Sequence, residues 1–377
     1  MKIKINKLFL IFLCIFIVVS ILTIYSSLMY TSKDLGNISL KQLFWYTLGL
    51  IVLFFITKFK NKFIYEKSWL FYIIGVVLLI LLLLFGVPIN NSKCWFVVPG
   101  IGSFQPSEFM KLFIMFILAK LIFSFRNSKT EHSLFEEFIL IIKCSFVVAI
   151  PALLTFLQPD TGAVIIYLII FVSMLFFSGI RLRWFVFAFL IFISCAGLFG
   201  SIYFFNEDLF LDLFGTSIYY RIERLLMWKD GIGLQLENAI AAIGSGGWMG
   251  HGFNNTPIYF PESSTDFIFA VFASNYGFIG SALFLIVLFI FDLYIFSLIK
   301  EENSIDRYVL IGILCMLLFQ QIQNIGMTIG LFPITGITLP FISYGGSSLI
   351  SYMIIMGILM NSSLEKKKYI VKIKDRY

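Results

Sequence analysis

Residues 8–30 read LFLIFLCIFIVVSILTIYSSLMY, an apolar run without one charged side chain. About twenty such residues cross a hydrocarbon core of about 30 Å as a single helix. The run is too long for the apolar core of a secretion signal, and no small-residue cleavage site follows it, so it reads as a retained span. Similar runs at 42–58, 69–87, 107–125, 138–156, 162–179, 184–204, 266–298, 308–332 and 343–362 predict ten spans in all. The apolar stretches are continuous and do not alternate, which excludes a closed barrel. The expected fold is therefore all-α, a polytopic membrane protein forming one integral domain over 1–377. Composition agrees, with 60% hydrophobic residues, 13% charged and a mean hydropathy of +0.96.

Charge placement sets the orientation. With a cytoplasmic N-terminus, twenty of the 28 basic residues fall on inner segments, among them Lys58, Lys60, Lys62, Arg126, Arg181 and the run of lysines in the tail 363–377. The positive-inside rule thus puts both termini in the cytoplasm and makes 363–377 a basic cytoplasmic tail. The net charge of +7 reports this orientation and gives no reason to expect nucleic acid. Four of the five cysteines lie in apolar runs and only Cys94 in a loop, so no disulfide framework is expected. His132 and His251 lack the spacing of a zinc site, and no metal ligand set is visible.

The outer segments are 31–41, 88–106, 157–161, a long loop 205–265 and 333–342. Two of them carry unusual chemistry. The stretch KCWFVVPGIGSFQPSEFMK, 93–111, brings Glu108 and Lys111 into a span at i and i+3, on one helical face. Such a pair either neutralises itself or points into a polar cavity. The extracellular loop 205–265 holds Arg221 and Arg224, then AIGSGGWMGHG, whose glycines suit an anion-binding nest of amides or a tight turn.

That loop ends in PESSTDFIFAVFASNYGFIG, 261–280, which places Asp266 where polar sequence enters an apolar helix. A carboxylate at that depth is a candidate for chemistry. It is equally a good residue for capping the helix start or for the favourable end of its dipole. Pro151, Pro333, Pro340 and the glycines of SYGGSS, 343–348, mark broken backbone, tolerated at membrane depth only beside protein or a wet cavity.

Several blocks recur in order from about 93 to 350: Gln105-Pro106-Ser107-Glu108 with Lys111, Gln158-Pro159-Asp160 with Gly162, Arg221 and Arg224, Gln235 with the IGSGG of 243–247, Pro261-Glu262, Thr265-Asp266-Phe267, Gln323-Asn324-Ile325-Gly326-Met327, and Leu339-Pro340-Phe341-Ile342-Ser343-Tyr344-Gly345-Gly346. Together they resemble the shape, elongation, division and sporulation family of bacterial membrane proteins, with the IGSGG block most like its rod-shape members. The resemblance implies a peptidoglycan glycosyltransferase that polymerises lipid II, an undecaprenyl-pyrophosphate-linked disaccharide-peptide, on the outer face of the cytoplasmic membrane. It implies Asp266 as the catalytic acid, suited to act as general base toward a sugar hydroxyl. Arg221, Arg224 and Lys111 become the cations for the diphosphate, with Glu108, Trp95, Gln235 and Ser343 completing the residues expected to meet substrate. A divalent cation is a further option for the diphosphate, and a class B penicillin-binding protein is the expected partner. Polar groups in spans equally suit a flippase for the lipid-linked precursor, or a scaffold for a class B transpeptidase. The gathering of polar motifs at one face favours the enzyme. This chain also departs from the family's pattern at Ser264, at Ser274-Asn275 and at Cys94. With acids missing at 274 and 275, Asp266 is expected to have less like-charge company and to ionise more easily.

Overall fold

The computed structural model describes residues 6–27, 38–86, 93–98, 102–129, 131–227, 234–299 and 304–374. Thirteen helices are formed among them: α1 (Lys7–Ser27), α2 (Ile38–Lys58), α3 (Asn61–Glu66), α4 (Ser68–Phe85), α5 (Pro106–Ser128), α6 (Leu134–Leu157), α7 (Thr161–Phe176), α8 (Arg183–Phe205), α9 (Glu207–Met227), α10 (Leu234–Ser245), α11 (Ile268–Leu298), α12 (Ile305–Thr328) and α13 (Gly346–Lys374). A two-stranded antiparallel hairpin, β1 (Phe96–Val98) and β2 (Gly102–Phe104), precedes α5. Eight helices are long and apolar enough to span a bilayer by length and composition. The sixteen-residue α7 falls short of that length, and α5 carries Glu108, Lys111, Lys120 and Arg126; with these two the ten expected spans are accounted for.

The bundle is built around α5 and α12, which bury side chains on most of their surface, while α4 and α8 show apolar side chains to the surroundings. Helix α8 buries none of its residues and meets α9 through Phe199, which stacks edge-on against Phe210 and Phe214. Small residues draw backbones together elsewhere: at Gly49 an added Cβ would stand 2.7 Å from Met353, and at Gly357 2.5 Å from Ile56, so α2 and α13 pack closely. Asn6 Nδ2 donates to Ser363 Oγ at 3.1 Å, which sets the described ends of the chain on one face of the bundle. Asn61 and Tyr65 meet Asp306 there, at 3.0 and 2.7 Å. This is the face that the charge bias assigns to the cytoplasm.

The opposite face differs from the sequence expectation in three places. The segment 205–265 is not one irregular loop, because it carries α9, broken at Gly215, and α10, whose Leu236, Ala239 and Ala242 bury against Phe267, Ala270 and Val271. The segment 333–342 does not lie outside the bundle: Ile337, Leu339 and Phe341 are buried. It re-enters among the helices because polar side chains satisfy its backbone. Asn324 Nδ2 donates to Ile337 O at 2.8 Å, Ser20 Oγ to Ile342 O at 2.7 Å, and Tyr46 to Phe341 O.

Third, α11 is two pieces joined at Gly277, whose φ of +63° lies in the left-handed region. The glycine loop serves this break. His251 and Gly252 donate to the carbonyls of Ser274 and Asn275 at 3.0 and 2.9 Å, while Phe278 and Ile279 donate to the carbonyls of Gly247 and Trp248 at 2.9 and 3.1 Å. Both ends of the interruption are thereby hydrogen-bonded, as low-dielectric surroundings require. The amides of Gly246, Gly247, Gly250, His251 and Gly252 all donate to backbone carbonyls, which fits the tight turn and not an anion nest.

A Cβ at 277 would stand 2.4 Å from Gly250 N and 2.7 Å from the backbone of Met249. Gly277→Ala therefore combines a backbone strain of about 1–3 kcal/mol, since φ +63° with ψ −163° suits glycine alone, with a clash that only backbone movement relieves. We expect a lower apparent Tm in detergent and faster amide exchange across 247–252 and 274–279. Parental values in both measurements would show that the splice does not hold the break.

Candidate active site

Between the outer ends of α2, α5, α7, α10 and α13 lies a partly open cavity of about 760 Å³. Its wall brings together Trp95 from the hairpin arm, Glu108 of α5, Asp160 before α7, Gln235 of α10, and Glu262 and Asp266 from the turn before α11. The re-entrant segment contributes Thr335 and Gly336, and the start of α13 contributes Ser347.

Asp266 is not a helix cap. The N-cap of α11 is Phe267, without a side-chain cap, and Asp266 sits one residue earlier in the turn 261–267. Its backbone is fixed from three sides. Asn324 Nδ2 donates to Asp266 O at 2.8 Å, Ser343 Oγ to Thr265 O at 2.6 Å, and Tyr344 N to Ser264 O at 2.9 Å. The carboxylate, by contrast, makes no hydrogen bond or ion pair among the described residues and faces the cavity. Gly336, at φ +71°, lies beside it, where a Cβ would come to 3.7 Å from Oδ2. Burial pushes this carboxyl up to about 7, and the Glu262 carboxylate adds to the rise.

The missing acids at 274 and 275 were expected to ease the ionisation of Asp266, but those positions do not share its cavity, and burial raises the carboxyl. Ser274 and Asn275 do not line the cavity, and Asn275 Oδ1 accepts from Thr256 Oγ1 at 2.8 Å. The like charge that matters comes from Glu262, four residues before Asp266 and held at φ +53°. Thr265 Oγ1 donates to Glu262 Oε2 at 2.7 Å, which keeps that carboxylate in the turn.

Glu108 and Lys111 both pair and divide their roles. Lys111 Nζ lies 2.6 Å from Glu108 Oε2, is buried, and stands 4.4 Å from the Tyr352 ring centroid. Only Glu108 reaches the cavity. Lys111 therefore holds Glu108 from behind, as a cation–π and ion-pair support. Tyr352 is itself tied by Gln320 Nε2 at 2.9 Å, and Gln320 lines the cavity.

Of the other residues singled out by sequence, Trp95 and Gln235 line the cavity, and Gln235 Nε2 donates to Pro261 O at 3.1 Å. Ser343 does not: its hydroxyl accepts from Leu339 N at 2.9 Å and braces Thr265, so it positions the turn that bears Asp266. Arg221 and Arg224 lie on α9, and their side chains are outside the described residues.

Asp160 is the residue that sequence reading passed over. It caps α7 through Ala163 N at 3.1 Å and accepts from Gln105 Nε2 and Ser107 Oγ, both at 2.9 Å, which ties α5 to α7 at the cavity wall. Burial pushes its carboxyl up, against these hydrogen bonds. The Gln158-Pro159-Asp160 block held the signal, though a short loop offered no reason to prefer a site over a cap. Four acids and no lysine or arginine line the cavity among the described residues. No cluster of three or more His, Cys, Asp or Glu forms a metal site among them.

Residues 6–368 match the sequence pattern of the FtsW/RodA/SpoVE family, described as cell cycle proteins. The chain is 34% identical over 340 residues to stage V sporulation protein E of Bacillus subtilis, covering 86% of each chain. It is 30% identical over 361 residues to the peptidoglycan glycosyltransferase MrdB of Helicobacter pylori, covering 93% of this chain and 88% of that one. A chain from a solved peptidoglycan synthase complex that coordinates polymerization and crosslinking superposes with a TM-score of 0.75 at 24% identity, over 96% of this chain and 98% of that one. At that identity the superposition speaks for the fold, while the sequence match over almost the whole length decides membership: the chain belongs to the FtsW/RodA/SpoVE family of cell cycle proteins.

Proposed function

We propose that this chain is a peptidoglycan glycosyltransferase of the cytoplasmic membrane that polymerises lipid II at its outer face, with Asp266 as general base. The observation that carries this reading is the division of labour at Asp266. Its backbone is braced by Asn324 and by Ser343 through Thr265, and its carboxylate is left free in the cavity. A base raised to about 7 is half ionised near neutrality and is matched to taking a hydroxyl proton there. In the transfer, Asp266 takes the proton of the acceptor's 4-hydroxyl as its oxygen bonds to the anomeric carbon of the donor. The bond from that carbon to the lipid diphosphate breaks, and the diphosphate leaves with the electron pair. Glu108, supported by Lys111, and Gln235 and Trp95 are placed to hold sugar hydroxyls and ring faces. The cavity wall supplies acids but no described cation, so the diphosphate's charge falls to Arg221 and Arg224 of α9 or to a divalent cation bound with it.

The MrdB relative is named as a peptidoglycan glycosyltransferase, which supports the reaction class. The neighbour of the same fold comes from a complex that couples polymerization to crosslinking; for this chain we propose a class B penicillin-binding protein as the crosslinking partner. A flippase would need polar groups continuing to the inner face, and the cavity's lining reaches inward only as far as Gln320, about two turns below the outer end of α12.

Purified protein supplied with lipid II should form glycan polymer. Asp266→Asn should lower kcat by about 10²–10⁴-fold, the range for loss of a general base, in protein that still folds. Polymer formed at the parental rate by Asp266→Asn would remove Asp266 from the reaction, and labelled precursor crossing liposomes without polymer would favour transport.

The rate should rise with pH through about 7 as Asp266 ionises. Glu262→Gln removes the neighbouring like charge and should move the midpoint to lower pH; a midpoint unmoved or raised would refute that coupling. Stability carries the opposite sign. A carboxyl raised from 3.8 to about 7 makes the folded state hold a proton that the unfolded chain releases, so its contribution falls as pH rises between those values. Asp266→Asn should therefore raise the apparent Tm by a few degrees at pH 8 and leave it unchanged at pH 4.

A further inference from the structure

Asp292 lies in the second piece of α11, within the span, and is 5% exposed. Nothing in the reaction above uses it. Its Oδ1 accepts from Gln321 Nε2 of α12 at 3.3 Å, and it joins no ion pair among the described residues. Its surroundings on α11 are apolar: Phe291 and Ile295 are buried, and Phe291 packs against Phe9, Phe12 and Phe16 of α1 with centroids 5.2 to 6.3 Å apart. One turn inward on α11 stands the buried, apolar Ile295.

The partner's position gives the pair its meaning. Gln321 sits less than one turn from Asn324, which donates to Asp266 O and to Ile337 O, both at 2.8 Å. Beside it, Gln320 lines the cavity and Gln323 donates to Pro333 O at 3.0 Å. The last turns of α12 thus hold the catalytic turn, the cavity wall and the re-entrant segment together. We propose that Asp292 is a positioning residue: by accepting the Gln321 N–H it sets the register of α11 on α12 directly beneath the site, and through α12 the placement of Asp266. What residue 292 supplies is an acceptor oxygen, not a charge, because its partner is a neutral amide. A buried hydrogen bond of this kind is costly to break on one side only, since the abandoned group stays unsatisfied.

The effect on sugar transfer rests on the function proposed above; the register does not. The full chain in detergent is therefore followed by amide exchange over 320–328 and, separately, by polymer formation from lipid II. Asp292→Asn should stay within about twofold of the parent in both. Asp292→Leu and Gln321→Leu should each speed exchange there and lower kcat about fivefold or more, with KM little changed, as the loss of one buried hydrogen bond predicts. Asp292→Gln combined with Gln321→Asp should restore both. Asp292→Asn as impaired as Asp292→Leu would show that charge is required and overturn the proposal, as would leucine variants with parental exchange. If Asp292→Leu does not fold, Gln321→Leu and Asp292→Asn decide. A parent that makes no polymer refutes the function alone, and exchange still decides the register.

Discussion

A backbone amide or carbonyl inside a bilayer must find its partner within the protein, and this requirement shapes the working end of the molecule. Most of the spanning helices meet it on their own ladder, and where Pro151 interrupts that of α6 the Val147 carbonyl accepts from Tyr72 at 2.9 Å. The two departures from helix, the break at Gly277 and the re-entrant segment after α12, are allowed because other chain supplies the bonds. A glycine loop closes the first, and Ser20, Tyr46 and Asn324 close the second. The second forms part of the cavity wall through Thr335, Gly336 and Thr338. Irregular backbone is what frees Asp266 from a helical ladder and lets its carboxylate face open space.

The same economy explains the electrostatics. Holding a carboxylate by its backbone and leaving its oxygens unpaired maximises the cost of its charge, and Glu262 adds to that cost. Acids held for structure are treated differently. Asp160 has three hydrogen-bond donors and Asp306 two, and each ties elements together. Glu108 has a buried cation behind it. Among the described acids at the cavity, Asp266 is the one whose neighbours raise its proton affinity without claiming its oxygens.

Much of this was legible in the chain. Continuous apolar length announces a span whatever the packing, so the ten crossings and their orientation followed from runs and lysines. The short elements were less visible. In 205–265, α9 and α10 mix polar and apolar residues because they lie among other elements at the bundle's end, and no run length marks them. The burial of 333–342 was hidden for a related reason: its partners are Ser20 and Tyr46, far away in sequence, and Asn324 of the preceding helix. The blocks around Asp266, Glu108 and Gln235 pointed to the cavity, yet they did not distinguish Glu108, which reaches it, from Lys111, which stands behind. Ser343 was noticed for the right motif and the wrong task, since an outward hydroxyl and a bracing one look alike in sequence.

Outer loops of membrane proteins usually tolerate changes in length, since their backbone is solvated. The glycine loop cannot share that freedom. Its residues 247 and 248 are matched to 278 and 279, and its residues 251 and 252 to 274 and 275, so both halves are registered against one helix break. One inserted residue between 248 and 251 would leave one matched pair one position out of step. The neighbouring stretch 253–260 is held by single contacts instead, Asn254 N to Ser26 Oγ at 3.1 Å and Thr256 Oγ1 to Asn275 Oδ1 at 2.8 Å. Among relatives that differ in size on this side of the membrane, the seven residues from 246 to 252 should keep their number even where their side chains change.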